Sequence, residues 1–151
     1  NHGIEGRYPV NEVEAKKFFS ERSNTKNSVL FAICLKKNNQ HIGNCSVSNI
    51  DWINRRCRYG RLIGEKKYRS KGFGSQVTQL IQKYVFLKLN MNSLFTGCRE
   101  GNISSVKSNL NSGMIIEGRQ KESIYSQGKY FDEIRFGMTK KMFLKKYKIL
   151  P

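Results

Sequence analysis

A mixed α/β domain built on one central sheet is the fold class this sequence predicts, and three observations predict it. Apolar runs separated by polar turns fill residues 29–63. The apolar period becomes helical directly after Gly72 and Gly74. Short strand-like runs return after residue 92, so strands and helices alternate around one sheet. At 151 residues and 38% hydrophobic content, the chain fits one domain, residues 1–151, with a basic tail over 145–151.

The elements follow in order. Asn11 is placed to cap a helix over Glu12 to Glu21, with Val13, Phe18 and Phe19 on one side. Ser23 to Asn27 is a polar loop. Val29 to Leu35 reads as a buried strand, Lys37 to Gln40 as a turn, and His41 to Ile50 as the returning strand of a hairpin. Asp51 to Arg56 is loop-like, and Cys57 to Ile63 makes a third strand. Val77, Leu80, Ile81, Tyr84, Val85 and Leu87 then recur at helical spacing, with Gln76, Gln79, Gln82 and Lys83 opposite. Ser93 to Cys98 is a short strand, and Asn102 to Asn111 a helix ended at Gly113. Gly118 to Tyr125 and Tyr130 to Thr139 form a closing hairpin across Gln127-Gly128.

Charge and cysteine usage narrow the function classes. Lys plus Arg is 28 against 11 for Asp plus Glu, a net +17 that attracts anions such as phosphorylated small molecules or nucleic acid. The same excess also suits a lysine-rich, solvated surface, and the cluster Lys140, Lys141, Lys145, Lys146 and Lys148 reads as a solvated terminus. No apolar run reaches the ~18 residues of a membrane span, and no leader is visible at the start, so a cytoplasmic protein is expected. Cys34, Cys45, Cys57 and Cys98 form no close pair, which argues against zinc and for free thiols, three of them in apolar strands. Ile4-Glu5-Gly6-Arg7 matches a protease-cleavage linker but recurs at Ile116 to Arg119, so nothing rests on it.

Arg69-Ser70-Lys71-Gly72-Phe73-Gly74-Ser75 follows a strand and opens a helix. The glycines let backbone approach a ligand closely. The helix start offers unpaired N–H groups and its positive dipole end, so a phosphate is the natural guest. Arg69 and Lys71 add charge, and Ser75 can donate a further hydrogen bond. A Walker lysine is absent, and Val77 stands where a dinucleotide fingerprint would place its third glycine.

Arg69-x-x-Gly72-x-Gly74, between an apolar strand and an amphipathic helix, resembles the acyl-CoA motif of the GCN5-related N-acetyltransferase (GNAT) family. His41-Ile42-Gly43-Asn44 is similar to the family's Ile-Gly strand, and Gly60-Arg61-Leu62-Ile63-Gly64 to the strand entering the motif. Asn102 to Ser105 and Gly113-Met114 resemble its Asn-x-x-Ala/Ser … Gly-Phe segment. Glu117-Gly118-Arg119 and Gly128 to Glu133 resemble the closing hairpin of the ribosomal-protein and amino-sugar acetyltransferase branches. Together these cover about residues 12–143.

The resemblance implies a mostly antiparallel sheet with one splayed strand pair, between which pantetheine inserts along Leu62, Ile63 and Gly64. The pyrophosphate would lie over Lys71, Gly72, Phe73, Gly74 and Ser75, with Arg69 and Ser70 in the same turn and Asn102 near the thioester arm. Asn102 also reads as an N-cap of its own helix. Acetyl-CoA is the implied co-substrate, with no metal, and a homodimer is compatible. The sequence departs from the family at three positions. Arg58 stands where a catalytic glutamate is frequent, Asn109 where a tyrosine acid is frequent, and Met114 where the paired phenylalanine stands. Hydroxyl candidates are then Ser105, Ser108, Tyr84 and Tyr125, and base candidates Glu65, Asp51 and His41. Ser105, Glu65 and Tyr84 lead these sets. The expected reaction is acetyl transfer to an amine on a small anionic metabolite such as a nucleotide-linked amino sugar. A protein N-terminus is the alternative acceptor. A polyamine would be repelled by the +17 field, and an RNA-binding module without catalysis stands furthest back, because no aromatic–glycine pattern of an RNA-binding sheet is present.

Overall fold

The computed structural model describes residues 11–149 except Asn24. The side chains of Ala15, Phe18, Phe19, Arg22 and Ser23 are outside that description, and with them the apolar pair predicted for the first helix. The elements are α1 (Glu12–Ser23), β1 (Val29–Cys34), β2 (His41–Asp51), β3 (Arg56–Ile63), α2 (Phe73–Lys83), β4 (Ser93–Arg99), α3 (Ile103–Asn111), β5 (Ile115–Ser126), β6 (Lys129–Thr139) and α4 (Lys140–Tyr147). Asn11 caps α1 reciprocally: its side-chain oxygen accepts from Glu14 N at 2.8 Å, and the Glu14 carboxylate accepts from Asn11 N at 3.2 Å.

The six strands form one sheet in the order β1-β2-β3-β4-β6-β5. Every neighbouring pair is antiparallel except β3 and β4, which are parallel because α2 carries the chain back between them. Alternation places Cys45, Val47, Cys57, Tyr59, Leu94, Cys98, Phe136 and Met138 on one buried face. Val77, Ile81 and Val85 cover it, and Phe143 of α4 closes the far side against Phe86, ring centroids 5.0 Å apart.

Two expectations are corrected. The basic tail expected over 145–151 is helical as far as Tyr147, the end of α4 (Lys140–Tyr147), which Thr139 caps by accepting from Met142 N through its side chain. Phe143 is fully buried, Met142, Leu144 and Tyr147 pack partly against the core, and Lys141, Lys145 and Lys146 face out. The buried stripe of α2 also differs in phase. Leu80 and Leu87 are exposed, whereas Thr78 and Gln82 are buried. The buried stripe runs through Val77, Thr78, Ile81, Gln82, Val85 and Phe86 at regular helical spacing, and Gln82 is sheltered because Ser112 and Tyr147 satisfy its amide. Of the cysteines, all free, Cys45, Cys57 and Cys98 are buried and Cys34 is exposed.

Candidate active site between two parting strands

β3 and β4 start as partners and then separate. Arg56, Cys57 and Arg58 pair with Ser93, Leu94 and Phe95. Beyond that point β3 stays bonded to β2 as far as Ile63, and β4 to β6 as far as Arg99. Residues 59–63 and 96–99 therefore turn backbone edges toward each other with no strand between them, a slot where an extended chain can add as a strand. Leu62, half exposed, and Ile63 lie on this edge.

The glycine turn closes the end of the slot. Arg69 donates from Nε to Ile63 O at 3.0 Å and from Nη2 to Gly64 O at 2.8 Å, tying the loop to the end of β3. Its charge stays at the turn, but these hydrogen bonds are spent on backbone. Ser70 (φ 58°) and Gly72 (φ 82°) take left-handed backbone, and Gly72 caps α2 with no side chain over the helix end. Space above Gly72 is open, since a β-carbon there would meet nothing within 4 Å. Lys71 is exposed beside it. Free first-turn amides, open space and two cations fit a phosphate. Gly74 serves a different need: a β-carbon there would lie 3.2 Å from Arg61 Nε and 3.4 Å from Ser108 Oγ, tighter than ordinary contact.

α3 forms the other wall. Asn102 caps it, its side-chain oxygen accepting from Ser105 N and Ser104 Oγ, each at 3.2 Å. Ser105 is half-buried, and its hydroxyl lies beside the Cys98 thiol of β4. Ser75 Oγ and Ser108 Oγ bond at 3.2 Å, joining the start of α2 to the C-terminal half of α3. The structure thus gathers Leu62, Ile63, the 69–75 turn, Asn102, Ser105 and Ser108 around one slot.

Other candidates lie away from it. Tyr84 stacks edge-on to Phe31 of β1 at 5.1 Å, so its ring serves packing near the distant sheet edge. Glu65 pairs with Lys67 at 2.8 Å and accepts from Gln40 at 3.2 Å, outside the slot. Asp51 caps the β2–β3 turn by accepting from Ile53 N and from both nitrogens of Asn54, and these bonds hold its carboxyl below the usual range. His41 bonds Asn44 on the surface of β2 at 3.0 Å. Tyr125 packs against Tyr130 near the tip of the β5–β6 hairpin.

Two residues at the slot were missed. Arg61 projects from β3 toward α2 and α3, with Nη1 facing Tyr59 Oη, Thr78 Oγ1 (2.8 Å) and Asn109 Oδ1 (3.2 Å). Burial pushes its pKa down to about 10, opposed by Cys98 and Cys45, and the guanidinium stays charged near neutrality. On the opposite face, Glu133 of β6 folds over Gly97 of β4, its carboxylate taking the space a side chain at 97 would need. Its Oε2 meets Arg135 Nε at 3.2 Å. Strand partners share a face, so Arg58, Phe95, Gly97, Arg99, Glu133 and Arg135 all line this open side. Alternation through Cys57, Tyr59, Arg61 and Ile63 already points Arg61 inward, a signal present in the sequence. Glu133 had none, because its reach depends on a glycine one strand away.

A six-stranded mixed sheet with a parting parallel pair and a glycine turn at its end defines a class of acyl-CoA-dependent transferases. The acetyltransferase (GNAT) domain model matches residues 3–115, and the chain belongs to the GNAT acetyltransferase family. It is 28% identical over 111 residues to YokL, a prophage-derived uncharacterized N-acetyltransferase of Bacillus subtilis (strain 168), covering 74% of this chain and 62% of that protein. It is 25% identical over 99 residues to YdaF, a putative ribosomal N-acetyltransferase of the same organism, covering 66% and 54%. The chain thus spans less than two thirds of these relatives' length. Among solved structures, a spermidine N-acetyltransferase chimera of Vibrio cholerae SpeG and hSSAT superposes with a TM-score of 0.85 at 20% identity, covering 95% of this chain and 88% of that one. The Vibrio cholerae spermidine N-acetyltransferase in complex with CoA and spermine gives 0.84 at 19% identity, with 91% and 81% covered. At such identity these two establish the shared fold. Among the described residues, no group of three or more His, Cys, Asp or Glu could hold a metal, and no helix is long and apolar enough to cross a membrane.

Proposed function

We propose that this chain transfers the acetyl group of acetyl-CoA to a primary amine, both substrates being bound together. The observation that carries this reading is the parting of β3 and β4 after Arg58↔Phe95, directly before the open N-terminus of α2. The pyrophosphate would sit on the Lys71–Ser75 turn, and the pantetheine arm along Leu62 and Ile63. Amide groups on the parted edge are suited to a developing oxyanion. The amine would come from the face bearing Gly97, where Glu133 could accept the proton an alkylammonium must lose before attack.

For the acceptor, the reading is a small anionic metabolite carrying an amine, a nucleotide-linked amino sugar being one such molecule. Arg58, Arg99 and Arg135 on the open face favour an anion there, beside the carboxylates of Glu133 over Gly97 and Glu117 over Gly137, which suit the amine. A protein N-terminus is the second reading, supported by the relative named a putative ribosomal N-acetyltransferase. The solved neighbours named for spermidine suggest a polyamine, but those arginines and the net +17 oppose a polycation.

A thiol-release assay with acetyl-CoA and a panel of amino-sugar nucleotides, N-terminal peptides and polyamines tests the reading. Turnover of the anionic amines ahead of the others is expected. Preferential turnover of spermidine would overturn the acceptor assignment, and absence of any acetyl-CoA-induced rise in melting temperature would overturn the reaction itself.

A further inference from the structure

We infer that Arg61 is the cation that receives the leaving thiolate of coenzyme A. The inference rests on the acetyl-CoA reading above and adds a residue to it. A buried guanidinium ordinarily has a carboxylate partner, because an unpaired charge away from water is costly. Among the described residues Arg61 has none: its partners Tyr59, Thr78 and Asn109 are all neutral hydrogen-bond groups. Those three acceptors compete for the two hydrogens of Nη1. Nε and Nη2 have no bond, yet they are not sealed away, since Ser28 Oγ alone among the described side-chain atoms is both sealed and unpaired. They lie against Gly74, where a β-carbon would be 3.2 Å from Nε and 3.6 Å from Nη2. A charged donor pair is thus held open within the slot, between the glycine helix and α3.

The acetyl transfer makes one new anion. The alkylammonium gives one proton to a base, its nitrogen then forms a bond to the thioester carbonyl carbon, and the bonded nitrogen loses a second proton to water. The C–S bond breaks, its electron pair leaves on sulfur, and water later protonates the thiolate. Arg61 keeps its protons throughout and lowers the energy of the sulfur anion by charge and N–H donation. Asn109, where a proton donor is otherwise expected, has no acidic hydrogen, and it contributes by holding Nη1. The titratable groups facing the guanidinium are Cys45 from β2, Cys98 from β4 and Tyr59 on its own strand, whereas α2 and α3 present Thr78, Ser108 and Asn109. Burial pushes Cys45 up to about 11 and also raises Cys98, so both stay neutral near pH 8 and do not cancel the cation.

The test is a pH titration of the thiol of bound CoA by ultraviolet thiolate absorbance, referenced to protein alone. A bound thiol titrating at least about one pH unit below that of free CoA is expected, a tenfold gain in thiolate. Arg61→Met should return the thiol to its free value or above while CoA still binds, and Arg61→Lys should recover part of the shift. A second measurement needs no variant: in the wild-type protein the affinity for CoA relative to desulfo-CoA should rise with pH through the thiol's titration. Binding of CoA with an unshifted thiol, or a shift that survives in Arg61→Met, overturns the role of Arg61 alone. Failure of CoA to bind overturns the acetyl-CoA reading as well.

Discussion

Gly72 and Gly74 stand two residues apart, and different forces hold them. Gly72 needs its left-handed backbone (φ 82°) and has empty space above it, whereas Gly74 needs the absence of a side chain beside Arg61 and Ser108. Gly72→Val should cost about 1–2 kcal/mol through backbone strain and abolish the rise in melting temperature with acetyl-CoA. Gly74→Val should destabilise the free protein as well, because a branched side chain must displace Arg61 or α3. Differential scanning fluorimetry with and without acetyl-CoA separates the two, and an intact shift in Gly72→Val would refute the phosphate turn. This pair also marks how far the sequence reached. The spacing of Arg69, Gly72 and Gly74 was legible as a glycine turn opening a helix, but the division of labour between the glycines was not. Arg69 looked like a phosphate ligand, yet its donors hold Ile63 and Gly64.

At the scale of elements, strands were easier to read than helical faces. Strand alternation has a rigid period of two, so the six predicted strands fall within a few residues of the observed ones. A helix stripe depends on phase, and here polar Thr78 and Gln82 lie within the buried stripe while apolar Leu80 is exposed, so hydrophobicity alone misplaces its centre. The C-terminal helix was hidden by composition: its four lysines mask Phe143 and the partly buried Met142, Leu144 and Tyr147 that dock it. Phe143 is fully buried between Phe86 at 5.0 Å and Tyr147 at 4.9 Å. Lys146 of the same helix donates to Asn111 O at 3.2 Å, closing the end of α3. Phe143→Ala should therefore cost about 3–5 kcal/mol, measured by urea denaturation with an unchanged slope. A loss below about 1 kcal/mol would mean that α4 contributes little to the core. The splayed pair itself was legible only through family resemblance, because which strand neighbours which is a property of topology and not of local pattern.

Over the whole molecule, net charge +17 on 151 residues is a long-range field that no single contact describes. Its share in substrate capture can be separated from that of the site by salt. The Debye length falls from about 30 Å at 0.01 M to about 3 Å at 1 M, so added salt removes the far charges first and the turn's hydrogen bonds last. Acetyl-CoA carries several phosphate charges, and its capture at a phosphate turn should be steered by this field. The association rate of CoA, followed by stopped flow, should fall roughly tenfold between about 0.02 and 0.3 M salt, with a smaller change in dissociation rate. A neutral amine acceptor serves as the internal control, and its KM should be flat over the same range. If CoA association is equally flat, the lysines serve solvation and the turn alone recruits the co-substrate. If instead dissociation carries the salt effect, the cations act by contact, and Lys71 is the exposed charge positioned to make it.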